Sequence, residues 1–138
     1  MSYDPANIFA NILGGELPCH KVYEDDVALV MMDIFPQSRG HTLVIPKAPS
    51  RNLLDADPAA LSAVMPLVQR VAVALKQVTG SDGLRLAQFN EAPAGQTVFH
   101  LHFHLIPVYE GITLGAHGSS RADDAELAGL AKSIAAAL

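Results

Sequence analysis

The sequence predicts an α+β domain: a five-stranded antiparallel sheet with a long central helix and shorter helices near both ends. Three observations carry this. Strand-like runs are joined by short turns, which favours antiparallel pairing. The segment from Asp57 to Gly80 holds one apolar stripe with the helical period, between a clear start and a clear stop. Finally, Val98 to Pro107, VFHLHFHLIP, alternates histidine with Phe or Leu at every second residue, the period of a strand. At 138 residues, half of them hydrophobic, the chain fits one domain over 1–138, with no repeat or linker.

Taken in order, Asp4 and Pro5 suggest a helix start. Ile8, Phe9, Ile12 and Leu13 then share a face, and Gly14-Gly15 ends the helix. Pro18 opens a strand through Val22 and Tyr23, Glu24-Asp25-Asp26 turns the chain, and Val27 to Asp33 returns. A loop from Phe35 to Gly40 leads to a third strand, His41 to Ile45, closed by Pro46. Asp57 and Pro58 start the long helix. Its predicted stripe is Leu61, Val64, Met65, Val68, Val71, Ala72, Leu75 and Val78, and Gly80 is the stop. Pro66 lies opposite that stripe, so the backbone bond it breaks faces water. Leu84 to Asn90 is the fourth strand, Glu91 to Gln96 a tight loop, and the histidine run the fifth strand. Tyr109 to Ser120, broken by Gly111, Gly115, Gly118 and Ser119, is expected to be mobile or shaped by a partner. Asp123 with Glu126 resembles a capping box before a last helix through Leu127, Leu130, Ala131, Ile134 and Leu138.

Composition narrows the function. A net charge of −5 argues against a nucleic-acid binder, though not against a small phosphorylated ligand. Cys19 is the only cysteine, so no internal disulfide forms, and a half-buried small side chain is the expected role. The N-terminus lacks the pattern of a signal peptide, and no apolar run is judged to approach a membrane span. A cytoplasmic protein is expected.

In a strand, His100, His102 and His104 would share one face. Three imidazoles there could bind zinc with an open position, but no acidic residue within the strand is placed to orient them. The alternative is phosphoryl chemistry, one imidazole attacking phosphorus and another handing a proton to the departing group. The loop favours the second reading. Gly95-Gln96-Thr97 and Asn90 supply backbone N–H, amide and hydroxyl groups suited to phosphate oxygens.

The run Gly95-Gln96-Thr97-Val98-Phe99-His100-Leu101-His102-Phe103-His104-Leu105-Ile106 resembles the signature of the histidine triad (HIT) family. Ile8-Phe9, Val22 to Asp26, Asp33-Ile34, Gly40 to Lys47 and Asn52-Leu53 follow in that family's order, and the likeness is greatest to its nucleotide-binding hydrolases. The resemblance implies that His102 is the nucleophile, forming a phospho-histidine that water hydrolyses. It implies that His104 touches phosphate or leaving group and that His100 orients the site. It also implies that Asn90, Gln96, Thr97 and Val98 line the phosphate end. Asp33 would take the ribose hydroxyls with Ile34 beside it, while Ile8, Phe9, Ile12, Leu17 and Met32 would wall the base.

The departures are informative. Some relatives hold a structural zinc through two N-terminal cysteines, a histidine after the Ile-Pro-Lys block and the first triad histidine. Here the first three positions are Asn7, Ala10 and Pro49, so no metal is expected, and no cofactor. Val108 stands where many relatives carry arginine, and Ala92 where the loop usually has glycine. The expected function is hydrolysis of a purine nucleoside phosphoramidate or related nucleotide conjugate, releasing a nucleoside monophosphate. A dinucleoside polyphosphate hydrolase, a nucleotide-binding regulatory module and a metal-binding protein are the other readings. The resemblance also implies a two-fold homodimer, which an apolar long helix and an exposed edge strand would permit.

Overall fold

A computed structural model describes residues 2–116 and 120–138. Eight elements follow in sequence: α1 (Ile8–Leu13), β1 (Lys21–Glu24), β2 (Ala28–Met32), β3 (Thr42–Pro46), α2 (Pro58–Thr79), β4 (Gly83–Ala87), β5 (Phe103–Val108) and α3 (Asp124–Ala137). The strands form one antiparallel sheet in the order β1-β2-β3-β5-β4. This is the predicted architecture. Short 3₁₀ turns at Leu53–Asp55 and Ala92–Ala94 were not anticipated.

Local signals set the long helix. The Asp57 carboxylate accepts from the Ala59 N–H at 2.9 Å, Pro58 occupies the first turn, and Gly80 closes the helix in the left-handed conformation. Its buried stripe is Val64, Leu67, Val68, Val71, Ala74 and Leu75, with Leu61, Ala72 and Val78 partly buried against it; Leu67 and Ala74 join the predicted stripe and Met65, which is exposed, leaves it. Pro66 faces solvent, as its place opposite the stripe requires. The 22 residues are nevertheless long and apolar enough to cross a membrane, which corrects the reading of the sequence on that point. Here they cap a sheet: α2 and α3 cover one face, burying Val30, Val44, Phe103, Leu105, Leu127 and Ile134 with the stripe.

The other face carries a smaller cluster, Phe9, Leu29, Met31, Leu43 and Ile45, under the six-residue α1. That helix starts later than predicted. Asn7 is its cap, accepting from the Ala10 N–H at 2.9 Å, while Asp4 turns the chain before it by accepting from Ala6. Gly118 and Ser119, part of the segment expected to be mobile, lie outside the described residues.

Register decides which residues share a face. Met31, Leu43, His104 and Ala87 are cross-strand partners and line the α1 side; Met32, Thr42 and Leu105 form the next row, on the helix side. Met32, expected at the base, therefore has its side chain in the helix-side core, and Met31 takes the opposite face.

Candidate active site

The histidine run is only partly a strand. β5 begins at Phe103, so His104 lies in the sheet while His100 sits in a bend and His102 in irregular chain just before it. The cause is the partner: β3 ends at Pro46, which has no N–H for a ladder bond. The Pro46 carbonyl is taken instead by the His100 side chain, Nε2 to O at 2.7 Å, and Leu101 N–H donates to Ser50 O at 2.9 Å. Predicted alternation still holds for the two later histidines, whose rings lie 4.8 Å apart on the α1 side.

Hydrogen bonds fix the protons. A carbonyl can only accept, so His102 Nδ1, 2.7 Å from His100 O, carries the hydrogen, and the neutral ring keeps its lone pair on Nε2. The His102 ring stands edge-on to Phe9 at 4.8 Å. His104 is set from behind by His41, a histidine the sequence reading left as the head of a strand. The Gln37 N–H donates to His41 Nδ1 at 3.0 Å, so His41 Nε2 bears the proton it presents to His104 Nδ1 at 2.9 Å. His104 then carries its own proton on Nε2. Asp33 Oδ2 is 3.5 Å from His41 Nε2, placing a carboxylate where it would stabilise charge on the pair. Asp33, His41 and His104 are all buried, and their donor atoms lie within 4.8 Å of one another, near enough to share a cation. Gly40 seats this group. At φ +95° a Cβ there would meet Thr79 Cγ2 at 2.8 Å, so only glycine lets the chain turn into His41.

His100 is fully buried between two partners, donating from Nε2 to Pro46 O and accepting at Nδ1 from the Tyr3 hydroxyl, 2.8 Å away. Burial pushes its pKa below the ordinary histidine value.

The loop before the triad has a different construction from the one expected. All four positions of the buried Gln96 amide are occupied: Nε2 donates to Arg51 O and Val98 O, while Oε1 accepts from Glu91 N–H and Asn52 Nδ2. The Asn90 amide is engaged with Leu53 N–H and with Gln88. Both side chains therefore hold the loop, and Gln96 also lines the smaller cavity beside His102 and His104. Glu91 is the one described residue other than glycine with positive φ, at 76°. It is held there by two bonds from Arg51, at 2.8 and 2.9 Å, and one from Asn52 at 2.6 Å. The Arg51 guanidinium also covers the Phe99 ring at 4.2 Å and keeps the Glu91 carboxyl below the usual range. An arginine and a glutamate 40 residues apart leave no periodic trace in a sequence.

Two cavities meet at His102, His104 and Thr97. The larger, of about 270 Å³, is lined by Ile8, Phe9, Ile12, Met31, Met32, Asp33, Ile34, Leu43, Val98 and the two histidines. Leu17, expected in its wall, is absent from the lining and partly exposed. The smaller, of about 140 Å³, runs between Gln37 and Phe89. Apolar walls with one buried carboxylate and two imidazoles among them suit a ligand with a flat apolar body, a hydroxylated middle and a phosphate.

Comparison with known proteins agrees. Residues 14–111 match the HIT domain model. A crystal structure of a HIT-like protein from Bartonella henselae, described as involved in cell-cycle regulation and holding an unknown ligand, is 50% identical. It superposes with a TM-score of 0.92 over 99% of this chain and 100% of that one. A histidine triad nucleotide-binding protein from Sulfolobus tokodaii is 35% identical, with a TM-score of 0.86 over 94% of this chain and 89% of that one. An adenylylsulfatase of Arabidopsis thaliana is 41% identical over 83% of this chain, a match spanning 58% of the plant protein's length. In sequence and in fold, this chain belongs to the HIT family.

Proposed function

We propose that the chain is a nucleotide hydrolase that cleaves at the α-phosphorus of a purine nucleoside phosphoramidate or related nucleotide conjugate. The observation that carries this is the pair of tautomers: His102 keeps an Nε2 lone pair and His104 an Nε2 proton, on adjacent rings where two cavities join. The nucleoside occupies the apolar cavity, with ribose hydroxyls at Asp33 and the base between Ile8, Phe9 and Met31. The phosphate lies at Thr97 and the loop backbone beside it. The name of the Arabidopsis relative, an adenylylsulfatase, supports a nucleotide conjugate as substrate.

His102 Nε2 attacks phosphorus, forming a P–N bond as the bond to the leaving group breaks. The leaving atom keeps that electron pair and takes the Nε2 proton of His104, which acts as an imidazolium once the His41–His104 pair has taken up a proton, a charge that the Asp33 carboxylate faces. Water then attacks the phospho-histidine. His104 accepts the water proton, His102 departs with its lone pair restored, and a nucleoside monophosphate is released. No step calls on a metal. His102→Ala should lower turnover of an adenosine phosphoramidate by about 10⁴-fold or more while nucleotide binding persists. Turnover retained in that variant refutes the assigned nucleophile.

The outer side of α2, with Val73 and Met65 exposed, adjoins edge strand β4, where Leu86 is exposed and Leu84 partly so. Pairing of two copies through this face would cover both the apolar surface and the open edge. Sedimentation of the purified protein should give a dimer, and Val73→Glu should shift it toward monomer.

A further inference from the structure

We infer that the cleft between Phe89 and Gln37 is the leaving-group subsite, and that it selects amines bearing a flat, uncharged aromatic group over anionic ones. The inference rests on the hydrolase reading above and names the other half of its substrate. Of the two cavities that share His102 and His104, the apolar one lined by Asp33 takes the nucleoside, so the second receives what lies beyond the phosphorus. It is also on the side of His104, the ring that supplies the proton.

Its lining dictates the chemistry. The Phe89 ring, 37% exposed, is tilted against His104 with centroids 5.5 Å apart. It is backed by Gly95, whose missing Cβ would lie 3.7 Å from the ring and whose φ of +105° disfavours any side chain there. Gln37 forms the opposite wall. Its side-chain amide donates to Gly115 O at 3.1 Å and its backbone N–H holds His41, so that wall is fixed to the same relay. Among the described residues, no lysine, arginine, aspartate or glutamate lines the cleft. A polyphosphate or carboxylate would enter without a countercharge and lose hydration, whereas an aromatic amine would stack on Phe89 and leave neutral once protonated.

The test compares adenosine 5′-phosphoramidates of benzylamine, cyclohexylmethylamine and β-alanine, with diadenosine tetraphosphate alongside. kcat/KM is measured for the wild-type protein and for Phe89→Leu. The benzylamine adduct should exceed the β-alanine adduct and the tetraphosphate by about tenfold or more, with the cyclohexyl adduct between. Phe89→Leu should bring benzyl and cyclohexyl adducts to within about twofold of each other. The wild-type ratios need no variant, so a misfolded Phe89→Leu leaves the test intact. Equal or better turnover of the anionic substrates overturns the subsite while leaving the hydrolase reading in place. So does a benzyl preference that Phe89→Leu, folded, does not change. Failure of the protein to turn over any of the four overturns both.

Discussion

On one face of the sheet Val30, Val44 and Phe103 form a cross-strand row beneath α2; one residue along each strand, Met31, Leu43 and His104 form the row on the other. The first face is closed by helices of 22 and 14 residues and filled with aliphatic and aromatic side chains. The second has six residues of α1, too short to cover the sheet, so a cavity remains beside it. The groups buried at that margin are polar, and they are satisfied by one another: His41 by Gln37 and His104, His100 by Tyr3 and Pro46, Gln96 by four partners. One face maximises burial. The other gives up burial for directed lone pairs and protons.

If that division is real, mutations on the two faces should separate stability from turnover. The largest effect belongs to His102→Ala on the open face: turnover falls by about 10⁴-fold or more, as above, while thermal unfolding changes little. Leu75→Ala on the helix face should do the reverse, costing roughly 2–5 kcal/mol by denaturant unfolding, with kcat nearly unchanged where the protein stays folded. A Leu75→Ala variant that folds fully yet loses turnover would show that the faces are coupled.

His41 sharpens the comparison, because it is buried like core but placed like chemistry. His41→Asn should lower kcat by about 10²-fold, since His104 loses the partner that fixes its tautomer. It should also shift the pH dependence of kcat, which a purely structural defect would not do. Glu91 comes next. Glu91→Gln keeps the shape but removes the charge held by Arg51, so the loop loosens and kcat falls by about tenfold. Rescue by Glu91→Asp would count against a requirement for two-point contact with the guanidinium.

What the sequence showed follows the same division. α2 was legible because Asp57, Pro58 and Gly80 act through the backbone next to them. The shared face of His102 and His104 was legible because strand alternation is also local. The face of Met32 was not legible because all of β2 is buried; a strand covered on both sides shows no alternation, and only its register with Thr42 and Leu105 assigns the face. Asn90 and Gln96 were recognised as polar loop residues, but their partners, Leu53, Arg51 and Asn52, come from a segment some 40 residues earlier. His41 was hidden for the same reason: its partner His104 lies 63 residues away.

The smallest effect concerns His100, and its sign follows from the direction of its pKa. The folded protein holds this ring neutral, below the ordinary value of 6.5, because burial opposes charge more strongly than the Pro46 carbonyl favours it. An unfolded chain protonates the same residue near 6.5. As pH falls through that value the unfolded state binds the proton first, so folding loses free energy until the folded pKa is also passed. His100 therefore contributes its full stability above about pH 6.5 and less with increasing acidity. His100→Asn replaces the ring by a group that does not titrate, so the variant should start less stable at pH 7.5. Its Tm should then fall less steeply than that of the wild type as the pH drops below 6.5, the carboxylates contributing alike to both. Parallel Tm curves across that range would mean that the Tyr3–His100–Pro46 arrangement readily accepts the charged ring. The open face would then be less strictly tuned to neutral imidazoles than its hydrogen bonds indicate.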